Sequence, residues 1–140
     1  MAQPSDDPTG GAEGVTTSVS PLGFEETLHR LLTVIEQRGL HVFALIDHDG
    51  AAAEADLTLR PTRVVIFGSP AAGTPLMAAT PLLALELPLR ILVWEGRDGR
   101  TRLSHLTADA LTEQFHVPSE LTGPLGAPAA LIDAALAIER

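Results

Sequence analysis

The chain contains no cysteine, which removes disulfides, thiolate nucleophiles and thiolate metal sites together. Asparagine is absent as well, so no N-glycosylation sequon exists. All nine basic residues are arginine, and 18 acidic residues bring the net charge to -9. No arginine cluster forms a stripe, so the electrostatic footprint of a phosphate-backbone binder is missing and nucleic acid is not an expected partner. The longest greasy stretch, Leu82 to Trp94, is broken by Glu86, Pro88 and Arg90, so nothing spans a membrane and no membrane partner is expected. A basic-then-apolar signal pattern is lacking at the N-terminus, and the expected location is the cytoplasm. Neither the Walker pattern nor the dinucleotide fingerprint occurs, and no His-x-His or His-x-x-x-His spacing exists. No cofactor and no metal are therefore indicated.

What is present suits a globular protein: 140 residues, 45% hydrophobic and 19% charged, enough for one domain with a core. Residues 1–14 are polar, acidic and Gly/Pro-containing and read as a mobile tail, leaving residues 15–140 as the domain. Val15 to Ser20 alternates weakly, as an edge strand would. Phe24, Leu28, Leu31, Leu32 and Ile35 make one apolar helical face, and Gly39 is the expected stop. His41 to Asp47 is apolar on both faces, which predicts a strand internal to the sheet. A short helix over 51–57 follows, with Asp49 as its N-cap.

The stretch from Arg60 to Met77 organises the rest. Val64, Val65, Ile66 and Phe67 form a buried strand, Gly68-Ser69-Pro70 turns the chain, and Thr74-Pro75 carries a helix start signal. Thr80-Pro81 repeats that signal, predicting two short helical turns over 75–86. Leu89 to Glu95 and Thr101 to Leu106 then form a hairpin around Asp98-Gly99. A two-residue turn there sets Glu95 opposite Arg102 as a cross-strand ion pair and Leu92 opposite His105. Thr107 caps a helix over 108–115, and a Pro/Gly-rich loop leads to a last helix at about 128–139. The order β-α-β-α-β-α-β-β-α-α gives an α+β fold, a single-domain two-layer sandwich with a mixed β-sheet packed on helices. Because the central strands are apolar on both sides, a homodimer covering the second sheet face is expected.

Four segments together resemble a known family. They are Gly39-Leu-His-Val-Phe-Ala-Leu-Ile-Asp-His48, Leu59-Arg-Pro-Thr62, Phe67-Gly-x-Pro-x-x-Gly-Thr-Pro-Leu-Met77 and Leu87-Pro-Leu89. Their order and spacing are similar to those of domain of unknown function family 302, over roughly residues 15–138. The resemblance implies a small two-layer α+β domain that tends to form homodimers, and it implies no activity. Two departures stand out. The family's usual Gly-Asn-Pro-Lys is Gly68-Ser69-Pro70-Ala71 here, which weakens an anion-binding role. The return strand's usual Ser-Tyr-Asn is Ser104-His105-Leu106, which keeps a polar, proton-transferring side chain in place.

Asp47-His48 at a strand end is the first candidate for acid–base chemistry, since an imidazole beside a carboxylate can move protons near neutral pH. The structural reading is that Asp47 caps the next turn, that His48 donates to a backbone carbonyl, and that the two side chains need not touch. His105 could share a pocket with His48, or be a partly buried histidine beside Trp94 and Leu103. The loop from Gly68 to Thr74 could hold a carboxylate, phosphate or enolate on free N–H groups, or simply turn the chain. The catalytic set is thus His48, Asp47, His105 and Glu95, and the ligand-contacting set Gly68, Ser69, Gly73, Thr74 and Met77. The leading reading is a domain binding a small organic ligand. In its catalytic form it is a cofactor-independent acid–base enzyme of isomerase, cyclase, lyase or decarboxylase type acting on a small carbonyl compound. A non-catalytic homodimeric interaction or regulatory module is the alternative, and haem or metal binding through His48 or His105 a third.

Overall fold

The computed structural model describes residues 11–137. The first ten residues, most of the expected tail, and residues 138–140, where the last helix is expected to end, lie outside the described residues. Strands β1 (Val15–Val19), β2 (His41–Asp47), β3 (Thr62–Gly68), β4 (Leu89–Glu95) and β5 (Thr101–Leu106) form one sheet in the order β1-β5-β4-β3-β2. The α-helices are α1 (Phe24–Gln37), α2 (His48–Glu54), α3 (Pro70–Ala79), α4 (Ala108–Phe115) and α5 (Ala127–Leu136), with 3-10 turns at Pro81–Glu86, Ser119–Leu121 and Gly123–Gly126. The element order and the α+β class are those the sequence implies. The sheet, however, is antiparallel at every pairing and not mixed. The strands flanking α2 and α3 are antiparallel neighbours, so each helix leaves and re-enters the sheet at one end, where a parallel pair would need it to cross the face.

One face of the sheet carries the core. Val65 and Phe67 of β3, Ile91 and Val93 of β4, and Leu103 of β5 have no exposed surface. They meet Leu31 and Ile35 of α1 and Leu131, Ile132 and Ala135 of α5, all buried. The α1 periodicity places Phe24, Leu28, Leu31 and Ile35 on that face, and Gly39 ends the helix at φ +74°, a conformation that favours glycine. On the opposite face Val64, Ile66, Leu92 and Trp94 stay partly exposed.

Two local expectations are corrected here. β2 is an edge strand and not an internal one, and its apolar Phe43, Leu45 and Ile46 are 47%, 43% and 39% exposed. Apolarity on both faces records that a strand is suited to cover; it does not say that the cover comes from the same chain. The β4–β5 hairpin is also shifted by one residue: Trp94 lies opposite Arg102 and Glu95 opposite Thr101. Gly96 accepts from the Gly99 N–H and donates to the Arg100 carbonyl (both 2.9 Å), and Gly99 takes φ +78°, so the loop has three residues with glycine in the left-handed position.

The ion pair consequently changes partner. Asp98, and not Glu95, receives the Arg102 guanidinium at 2.7 and 2.8 Å and the Arg100 N–H at 3.0 Å. Arg102 is only 3% exposed and lies over the Trp94 ring at 5.7 Å. The Arg102 and Arg100 contacts hold the Asp98 carboxyl well below the usual carboxylate range. Since the folded-state value lies under the unfolded one, the pair's contribution is complete above roughly pH 4 and is lost as pH falls through the folded-state value. Asp98→Asn is therefore expected to melt below the wild type at pH 7, with the gap closing only in solution more acid than about pH 4. Thermal melts across pH check this.

Candidate functional site

The segment after β3 folds differently from its start signals. Helix α3 begins at Pro70 with Ser69 as N-cap, so Thr74-Pro75 falls inside the helix and not at its start. Ser69-Pro70 carries an equivalent signal and comes first. Ala72 and Gly73 both donate to the Ser69 carbonyl (3.1 and 2.8 Å), and Pro70 has no N–H to offer. The several free donors expected of this loop reduce to the Ser69 and Ala71 N–H groups, which weakens the case for an oxyanion cradle.

What the segment builds instead is one wall of a cavity of about 530 Å³. Gly68, Ser69, Gly73, Thr74 and Met77, the whole ligand-contacting set expected from sequence, line it. Pro88 and the Phe43 ring flank Gly68, where a Cβ would make ordinary contact with them at 3.6 and 3.7 Å. Leu40 and Phe43 supply a second side, Leu87 to Leu89 a third, and Gly123-Pro124-Leu125 a fourth. Among the described residues no charged side chain lines the cavity, and its polar side-chain groups are the hydroxyls of Ser69 and Thr74. Such a space accepts an apolar body and offers at most one or two hydrogen bonds. The walls from Leu40, Leu87 and Leu125 were not legible as site residues, because they arrive from distant segments. Leu40 and Leu87 lie in segments that carry the family resemblance, and Leu125 adjoins the Gly-Pro run at 123–124.

None of the four residues of the expected acid–base set lines this cavity. Asp47 is the N-cap of α2, accepting the Gly50 N–H at 2.8 Å, so α2 begins at His48 and not at 51. Asp49 accepts the Thr62 N–H at 2.9 Å instead of capping. Both carboxylates lie 3.5 Å from Arg63, which also meets Glu25 at 3.4 Å and sits over the Phe24 ring at 5.2 Å. Burial alone would raise the Asp49 carboxyl, but the Thr62 N–H, Asp47 and Arg63 together hold it below the usual range. Burial would lower Arg63, and Glu25, Asp49 and Asp47 outweigh it upward. Arg63, an inward charge in an apolar strand, is the structural residue that pattern reading missed.

His48 is exposed on the first turn of α2. His105 is buried on β5, with β4 and β3 between it and β2, a separation of roughly 14 Å at ordinary strand spacing. The two histidines are not brought together. Glu95 ends β4, two strands from β2. Among the described residues no group of three His, Asp or Glu could hold a metal ion, and no helix is long and apolar enough to cross a membrane.

The family model of domain of unknown function DUF302 matches residues 15–137. The chain belongs to the DUF302 family. A crystal structure of an uncharacterized conserved DUF302 protein from Bacillus stearothermophilus has the same fold, with TM-score 0.78 and 20% identity, covering 89% of this chain and 99% of that one. In sequence, this DUF302 domain is 38% identical over 91 residues to "Fluoride-specific ion channel FluC 1" of Brucella suis and to "Fluoride-specific ion channel FluC 2" of Brucella melitensis. Those matches cover 65% of this chain but only 36% and 34% of the relatives, so the chain spans about a third of the length of the curated proteins it matches.

The position of Asp47 yields a direct expectation. Asp47→Ala removes the α2 cap and is expected to cost about 1 kcal/mol, whereas His48→Ala should leave the melting temperature nearly unchanged. Denaturant unfolding of the two variants beside the wild type separates a capping role from a paired acid–base role.

Proposed function

We propose that this DUF302 domain is a homodimeric, non-catalytic module that binds a small apolar molecule in the cavity walled by Gly68–Met77. The observation that carries the reading is the cavity lining, which among the described residues includes hydroxyls and backbone but no ionisable side chain. Acid–base turnover of a carbonyl compound needs a titratable group within reach of the substrate, and Asp47, His48, Glu95 and His105 all lie outside this lining. The relatives support a module over a self-standing enzyme. Their matching segment is about a third of longer proteins named as fluoride-specific ion channels, a size that suits a ligand-responsive part of a larger machine. A second copy over the outer sheet face and the β2 edge supplies the cover that Ile46, beside Val64 on that face, and Leu45, at the edge, lack.

Gly73 gives the cleanest test. A Cβ placed on it meets only the Met77 methyl, at 3.8 Å, so a larger side chain there enters the cavity without disturbing the backbone. Gly73→Leu also raises helix propensity by roughly 0.5–1 kcal/mol. The variant is expected to keep or raise the melting temperature while losing at least tenfold in affinity for N-phenylnaphthylamine, a neutral apolar fluorophore. Undiminished binding by Gly73→Leu, or none by the wild type, would contradict the reading. For the dimer, Ile46→Lys places a charge on an exposed edge and face, and sedimentation should show monomer for the variant and dimer for the wild type.

A further inference from the structure

β4 and β5 pair from Glu95↔Thr101 to Leu92↔Ser104 and then stop, although β4 starts at Leu89 and β5 runs on to Leu106. The rung that would join Arg90 to Leu106 is missing from the register. β5 stays with β1 instead, through Thr16↔His105 and Val15↔Leu106. The chain then leaves for α4 at Thr107, whose N–H donates to the Gly14 carbonyl at 2.9 Å and whose hydroxyl accepts the Ala110 N–H at 3.0 Å. The sheet splits there, and a cavity of about 270 Å³ opens between the two strands. It is distinct from the larger cavity; the two share Leu89 as a wall.

His105 sits in the split in a defined state. Ladder bonds alternate along β5. Thr101 and Thr107 bond toward β1 and the Gly14 end, and Arg100 toward β4, so the Leu106 carbonyl faces β4. Where an Arg90 N–H would meet it, the His105 Nδ1 stands at 2.9 Å. A carbonyl oxygen can only accept, so Nδ1 is the donor, and in that tautomer Nε2 presents a lone pair. The imidazole is 9% exposed and lines the cavity, and its Nε2 has no hydrogen-bond partner among the described residues.

The other polar groups of the wall are already engaged. The Ser104 hydroxyl accepts the Trp94 Nε1–H at 2.9 Å and shares a hydrogen bond with Thr17 at 2.7 Å. Glu86 and Arg90 pair with each other. The remaining surface is apolar, from Leu89, Leu92, Leu111 and Pro128 among others. One acceptor in an apolar wall selects a molecule with one donor and an apolar body. We propose that this split binds a small apolar hydroxyl compound of the phenol class, its O–H donated to His105 Nε2 and its ring against Leu89, Leu92 and Leu111.

The test is nuclear magnetic resonance of the full chain labelled with ¹⁵N-histidine, titrated with phenol and, in parallel, with toluene, which keeps the ring and lacks the hydroxyl. The His105 Nε2 resonance is expected to move saturably with phenol, and toluene to bind about tenfold more weakly, the worth of one hydrogen bond. His105→Phe removes the acceptor and keeps an aromatic wall, and should bring phenol down to the toluene level. Should His105→Phe fail to fold, the phenol–toluene comparison on the wild type still decides. An Nε2 resonance unmoved by phenol, or equal affinity for the two probes, would overturn the proposal. Because the readout is the His105 ring itself, it does not depend on what the larger cavity holds.

Discussion

Val65, Phe67, Ile91, Val93 and Leu103 make a continuous apolar floor with no exposed surface, and α1 and α5 are the two helices that close over it. At about 1.5–3 kcal/mol for each fully buried side chain, this one-sided burial is the largest stabilising term the fold has. It also fixes where vacancies can occur. The long helices occupy the middle of the sheet, so the space left over lies at its ends, where α3, the 3-10 turns and the loop before α5 meet strands that have stopped pairing. Both cavities are of this kind. The larger is bounded by the chain leaving β3 and entering β4, and the smaller by the parting of β4 from β5.

Two arginines and their carboxylate partners brace the scaffold. Arg63 gathers Glu25, Asp47 and Asp49 beneath the start of α1, tying the ends of β2 and β3 to the first helix. Arg102 is clamped by Asp98 across the hairpin loop and lies over Trp94 on the outer face. An arginine fork suits both places because one planar group can meet two carboxylate oxygens and stack on a ring at once. With Asp47 and Asp49 spent in this way, the strand-end Asp-His pair that suggests catalysis is an end cap beside an exposed imidazole.

The sequence carried the broad plan and part of the site, and the failures have specific causes. The α1 face, the Gly39 stop and the order of elements followed from periodicity and turn chemistry, which are local. Five of the cavity-lining residues were legible because glycine and proline cluster where the chain must turn, and a turn beside a buried strand end leaves space. The hairpin register was not, because Gly96 and Gly99 permit a three-residue loop as readily as Asp98-Gly99 suggests a two-residue one, and the choice is made by Asp98 reaching Arg102. Strand adjacency was equally hidden: nothing in the composition of β2 says that it lies at an edge, or that three strand spacings separate His48 from His105.

The central claim, that the larger cavity exists to hold an apolar molecule within a dimer, is tested most directly by native mass spectrometry of untagged protein gently purified from cells. The account predicts a dimer carrying one additional small mass per chain, released by organic extraction and retained through desalting. A monomer, or a dimer whose extra mass is a hydrophilic or metal species, would contradict it.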